Sequence, residues 1–197
     1  ITQDRIILEK HVDITNRSSD DVLRYAYMNS HYQTGLRNLL DLSILSHDRL
    51  DVEKSCQKVD EIPFEFQRKR MSVVIDYEDT HVLICKGSVE GIFDSCDRYQ
   101  IDEDIFPLIQ VVKNDITEEY MRLSAEGYRV LAVAYREFPK TKTSFSVQDE
   151  SGLIMLGYLA FLDPPKDSAR KAIASLKEHG VRVKILTGDN ELVTRKI

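Results

Sequence analysis

The sequence has no tryptophan, and among its 197 residues only three cysteines, five prolines and eight glycines. No run reaches the roughly 18 apolar residues that a membrane-crossing helix needs, and no charged-then-apolar leader opens the chain, which therefore reads as soluble. Cys56, Cys85 and Cys96 are odd in number, lack CxxC spacing and form no zinc pattern with His11, His31, His47, His81 or His179. They are expected to be reduced, buried thiols of a cytosolic protein, and no metal site is expected. A net charge of -6 excludes the general basic face of a nucleic-acid binder, so any anion site must be local. GxxxxGK[ST], GxGxxG, GxSxG and HExxH are absent as well, which leaves no support for a P-loop, a dinucleotide-binding turn, a hydrolase elbow or a zincin.

What is present suits a globular protein, since 42% hydrophobic residues suffice for a sizeable core of one or two domains. Ile1 is not an initiator methionine, and residues 191–197 read as a helix without a C-cap signal, so the chain is expected to be an excerpt. Ser18, Ser19 and Asp20 offer N-cap chemistry to a helix running to about His31, and Leu36, Leu39, Leu40, Ile44 and Leu45 recur at helical spacing. Residues 72–77 and 81–85 read as a β-hairpin. A short helix is expected over 88–96, a longer one over 104–126, a strand over 129–135, a polar surface loop over 139–152 and an apolar strand over 153–162. Asp163-Pro164-Pro165 stops that strand, because two prolines fix φ twice and remove two donors. Beyond it, a helix at 168–179, a strand at 181–186 and a polar turn into a last helix have the rhythm of half a parallel α/β unit.

Three stretches have the residue types of an anion or nucleotide site. Thr187-Gly188-Asp189-Asn190 comes after a strand, where α/β sheets place ligands, and offers a hydroxyl, an unshielded amide and a carboxylate; a capped turn explains the same residues. Lys86-Gly87 closes a strand ahead of a helix that Ser88 can cap, which favours an anion but also describes an ordinary strand end. Phe64 to Arg70 interleaves two aromatics with three cations, as a base-stacking and phosphate-meeting surface would, or as a solvated edge strand would with one phenylalanine in the core.

Taken together, Lys86-Gly87-Ser88-Val89-Glu90, Asp163-Pro164-Pro165-Lys166 and Thr187-Gly188-Asp189-Asn190 resemble the KGxxE, DPP[KR] and TGDN motifs of P-type ATPases, in the same order. Ile1-Thr2-Gln3-Asp4 looks like the stretch directly after the phosphorylated DKTGT of that family, and the resemblance spans essentially the whole chain. It implies an α+β fold, an antiparallel sheet flanked by helices, with a partial haloacid-dehalogenase-like α/β segment at the C-terminus. The implied division is a residual phosphorylation-domain strand and hinge at 1–7, a nucleotide-binding domain at 8–160 and part of the phosphorylation domain at 161–197.

The resemblance also implies roles. Phe64, Lys69 and Met71 reproduce the spacing of an adenine-stacking phenylalanine, a lysine and a methionine in calcium pumps of the family. Lys86 with Gly87 resembles the deep end of the nucleotide pocket, Arg129 a phosphate-contacting arginine at its rim, and Asp41 an acidic residue on the adenine side. Asp163 would mark the hinge, while Thr187, Gly188 and Asp189 would contact the phosphoryl group. The implied ligands are ATP or ADP, with Mg²⁺ accompanying ATP in the whole enzyme. The implied partners are the remaining phosphorylation, actuator and transmembrane domains, on the cytoplasmic side of a bacterial inner membrane. Residues 29–41 with 64–74 are very similar to the magnesium-transporting branch. A cap-bearing phosphatase would require a DxDxT strand, which is missing, and a non-catalytic interaction module is the remaining alternative.

Overall fold

Apolar residues run consecutively through 73–75 and 82–85, so both faces of the sheet are covered there. The computed structural model describes residues 3, 5–35, 37–48, 50–52, 56–184 and 191–196. In β3 (Arg70–Tyr77) and β4 (Thr80–Gly87), Val73, Ile75, Val82 and Ile84 join one core layer while Val74, Leu83 and Cys85 join the other, as the two-residue period of a strand requires. The strands pair from Arg70↔Gly87 to Tyr77↔Thr80. Glu78 opens the connecting turn at φ 50°. This is the expected hairpin, longer at both ends.

Among the described residues the sheet has eight strands, and β8 (Leu153–Leu162), buried at every position but Leu162, sits near its centre. One edge of β8 pairs with β7 (Tyr128–Pro139). The other is divided between β5 (Cys96–Ile101), which meets Leu153 to Met155, and β1 (Ile7–Asp13), which meets Gly157 to Leu162. β2 (Cys56–Glu65) and β6 (Asp104–Pro107) complete the order β2-β3-β4-β7-β8-β5-β6. Because β5 runs parallel to β8, the sheet is mixed and not antiparallel throughout as expected. A long crossover through β6, α4 (Gln110–Ala125) and β7 separates the two strands, and a crossover of that kind is what parallel pairing demands.

α1 (Asp20–Tyr32) and α2 (Leu39–His47) cover one face, with Val22, Ala26, Met28 and Ile44 in its core. α3 (Val89–Phe93) and α4 cover the other through Ile92 and Ile116. Ser19 caps α1 by accepting from the Val22 amide. The three cysteines are free and buried, and burial pushes the Cys85 thiol up to about 12, which keeps it protonated and inert.

Several expected boundaries shift. Residues 104–107 are strand, because Asp102 adopts φ 53° and turns β5 back on itself as a hairpin; the helix expected from 104 starts at Gln110. The helix expected over 88–96 stops at Phe93, where the chain turns into β5. β2 is an edge strand, and that position tolerates Pro63, whose missing donor would break an internal ladder.

After β8 come α5 (Asp167–Glu178) and α6 (Glu191–Lys196). Residues 181–184 form no strand, and residues 185–186 lie outside the described residues. The described residues therefore do not show the haloacid-dehalogenase-like segment.

Candidate nucleotide site

Lys86 leaves β4 on the face covered by α1 and α2, and only 4% of it is exposed. Its ammonium donates to Asp41 Oδ1 at 2.6 Å and to Ser30 Oγ, and Ser30 in turn donates to the same carboxylate oxygen at 2.9 Å. The second oxygen of Asp41 accepts from the Asn38 amide, closing a capping box whose other half is Asn38 Oδ1 accepting from the Asp41 amide. Burial alone would raise the Asp41 carboxyl, but the Lys86 ammonium and the hydrogen bonds from Lys86 and Ser30 outweigh it and hold the group below its ordinary value. Burial pulls the Lys86 ammonium below its own ordinary value against the opposing pull of Asp41. The lysine is thus half of a buried ion pair.

A cavity of about 580 Å³ opens from this pair toward solvent. Asp41, Lys86 and Gly87 line its inner part; Phe64, Lys69 and Met71 form one wall, and Arg129 stands at another with Tyr128 and Leu131. All seven residues expected around a nucleotide therefore border one cavity. Met71 lies directly across the β3–β4 ladder from Lys86. Gly87 has to lack a side chain, since a Cβ there would come within 2.5 Å of the Lys69 carbonyl and of Arg70 Cβ. Phe64 borders the cavity with 53% of its surface exposed, whereas Phe66 is 87% exposed and stands edge-on to it at 5.5 Å.

Of the three cations near Phe64, two are already engaged. Arg68 Nη1 and Arg70 Nε both donate to Glu150 Oε2, and Ser72 Oγ donates to Oε1 at 2.7 Å. Arg129 pairs with Asp163 at 2.9 Å, tying the cavity rim to the end of β8. Asp163 does not border the cavity, and its Oδ1 is buried without a hydrogen-bond partner. Thr187, Gly188 and Asp189 lie outside the described residues.

Sequence reading missed Ser30, Asn38 and Glu150. Asn38 was legible, because Asn-x-x-Asp is capping-box spacing. Ser30 and Glu150 had no local signal, and Glu150 sat in a stretch read as surface loop.

Among the described residues no group of three or more His, Cys, Asp or Glu is placed to hold a metal, and no helix is long and apolar enough to cross a membrane. Comparison with known proteins gives the family: residues 8–168 match the family described as P-type ATPase, cytoplasmic domain N, and the chain belongs to that family. It is similar to the magnesium-transporting ATPase, P-type 1, of Escherichia coli K12 and that of Salmonella typhimurium LT2, each 44% identical over the whole chain and 22% of the relative. Calcium-transporting ATPase 1 of Lactococcus lactis is 29% identical over 75% of the chain and 17% of its own length. The chain thus spans about a fifth of the magnesium-transporting relatives it matches.

Proposed function

We propose that this chain binds ATP in the cavity between Phe64 and Lys86, as the nucleotide-binding part of a pump that couples ATP hydrolysis through an aspartyl-phosphate to magnesium import. The observation that carries the reading is the convergence on one cavity of a ring face, Phe64, with three separated cations, Lys69, Lys86 and Arg129. A ring face can stack on a base, and separated cations can meet a polyphosphate at several points. Met71 extends the apolar wall beside Phe64. Gly87 lets a ligand approach the backbone, and Asp41 holds the Lys86 ammonium in place.

Residues 8–160 form the nucleotide-binding domain in this reading, with 1–7 and 161–197 belonging to the phosphorylation domain and Asp163 marking the hinge. Thr187, Gly188 and Asp189 would contact the transferred phosphoryl group in the whole enzyme, with Mg²⁺ neutralising the phosphates. Catalysis of this type consists mainly of positioning and charge neutralisation. No DKTGT occurs in the sequence, so the nucleophilic aspartate is not among these residues and the chain alone should bind nucleotide without turnover. The remaining phosphorylation, actuator and transmembrane domains would be its partners, on the cytoplasmic side of the bacterial inner membrane. Magnesium rests on the names of the relatives, since ion selection belongs to membrane helices.

Calorimetric titration with ATP tests the reading. Saturable binding by the wild type that weakens in both Phe64→Ala and Lys69→Gln is expected; no binding by a folded wild type would refute the reading, and acid-stable labelling from γ-labelled ATP would refute the claim of inactivity.

A further inference from the structure

Glu150 is buried with no side-chain exposure, in a segment that the chain reaches only after β7. Its carboxylate holds Arg68, Arg70 and Ser72, about 80 residues away in sequence. Both arginines reach further. Arg68 donates to Glu65 at 2.6 Å and to the Pro63 carbonyl at 2.7 Å, bracketing Phe64, and Arg70 donates to the Gly91 carbonyl at 2.6 Å, anchoring the turn to α3.

Between the two arginines stands Lys69 at φ 51°, a left-handed conformation uncommon for a residue with a side chain. Its amide donates to the Glu65 carbonyl at 2.8 Å, and its own carbonyl accepts from Ser88 at 2.9 Å. Gly91 admits the turn closely, since a Cβ there would meet the Arg68 carbonyl at 2.6 Å.

We infer that Glu150 is a positioning residue of the nucleotide cavity: by holding Arg68 and Arg70 it fixes the turn that aims Phe64 and Lys69 inward, and it keeps both guanidinium groups away from the phosphates. The inference rests on the nucleotide reading of the cavity. Without the carboxylate, two guanidinium groups lose their shared acceptor, and the turn keeps its backbone contacts and the bonds from Arg68 to Glu65 and Pro63 and from Arg70 to Gly91, with nothing to hold the two arginines together.

Adenosine separates aiming from charge, because it is neutral. Glu150→Gln is expected to weaken adenosine about fivefold or more at a temperature where it remains folded, and to shift the amide resonances of Lys69 and Phe64 in the ligand-free protein while leaving those of Asn38 and Asp41 in place. Arg70→Lys keeps the charge but cannot hold Glu150 and Gly91 at once, so it should act in the same direction by a smaller factor, and it serves if Glu150→Gln does not fold. A lower melting temperature with adenosine binding within twofold of wild type and unmoved Lys69 resonances would show Glu150 to be structural only and overturn the inference. A wild type that binds no adenosine would remove the nucleotide reading, and the inference with it.

Discussion

At the inner end of the cavity a lysine and an aspartate hold each other in a buried layer between β4, α1 and α2, whereas at its mouth Phe64, near the end of β2, and Lys69, on the turn after it, stand exposed at the sheet edge. The inner pair cannot be altered without disturbing the fold, because each partner is what makes the other's charge tolerable there. The outer pair has little to do with folding, so its chemistry is free to serve a ligand. Stability and affinity should therefore separate along the length of one cavity.

The largest effect that could break this contrast is on folding. Asp41→Ala strands the Lys86 ammonium and Lys86→Ala strands the carboxylate, and each should lose about 3–5 kcal/mol in urea denaturation. Asp41→Leu combined with Lys86→Met should lose less than either single change. A single-variant loss below about 1 kcal/mol would mean that water reaches the pair.

At the mouth, Phe64→Ala should leave stability within about 0.5 kcal/mol of wild type and weaken ATP, ADP and AMP alike, each by about 1–3 kcal/mol, since a base stack is common to all three. A graded loss across them would instead make Phe64 a support for the phosphate end. Lys69→Gln should act the opposite way, costing ATP more than AMP by about 1 kcal/mol at low salt; the difference should fade toward 1 M salt, where screening acts over about 3 Å.

The smallest effect is one of pH. The Asp41 carboxyl is held below its ordinary value of 3.8, so the stability it adds is complete above that value and drains away as pH falls through the lower folded-state value. Asp41→Asn should flatten this acid limb in denaturation curves, while adenosine affinity, which depends on the uncharged ring of Phe64, should stay constant from pH 6 to 8. A change in adenosine affinity over that range would link the two ends after all.

Which features were legible in the sequence depends on which contacts are local. Ser19 at the head of α1, the hairpin of β3 and β4, and the stop at Asp163 all rely on neighbours a few residues away, and they could be read. β5 and β6 could not, because their pairing depends on a left-handed Asp102 that no strand pattern announces. Lys86 was found, but not its state: the pairing with Asp41 spans 45 residues and exists only once α2 packs on α1 and β1. Glu150 was hidden for the same reason, its donors lying 78 to 82 residues back.

β1 and β8 lie side by side, with Ile7 opposite Leu162, and the Gln3 amide still donates to the Pro164 carbonyl at 3.0 Å just outside the sheet. The two ends of the sheet-forming stretch thus meet at one place, two backbones wide, and the chain beyond that place returns to the body through α6, whose Val193 is buried and borders the cavity. A change at the crossing of Gln3 and Pro164 is therefore felt at both ends of the sheet-forming stretch at once.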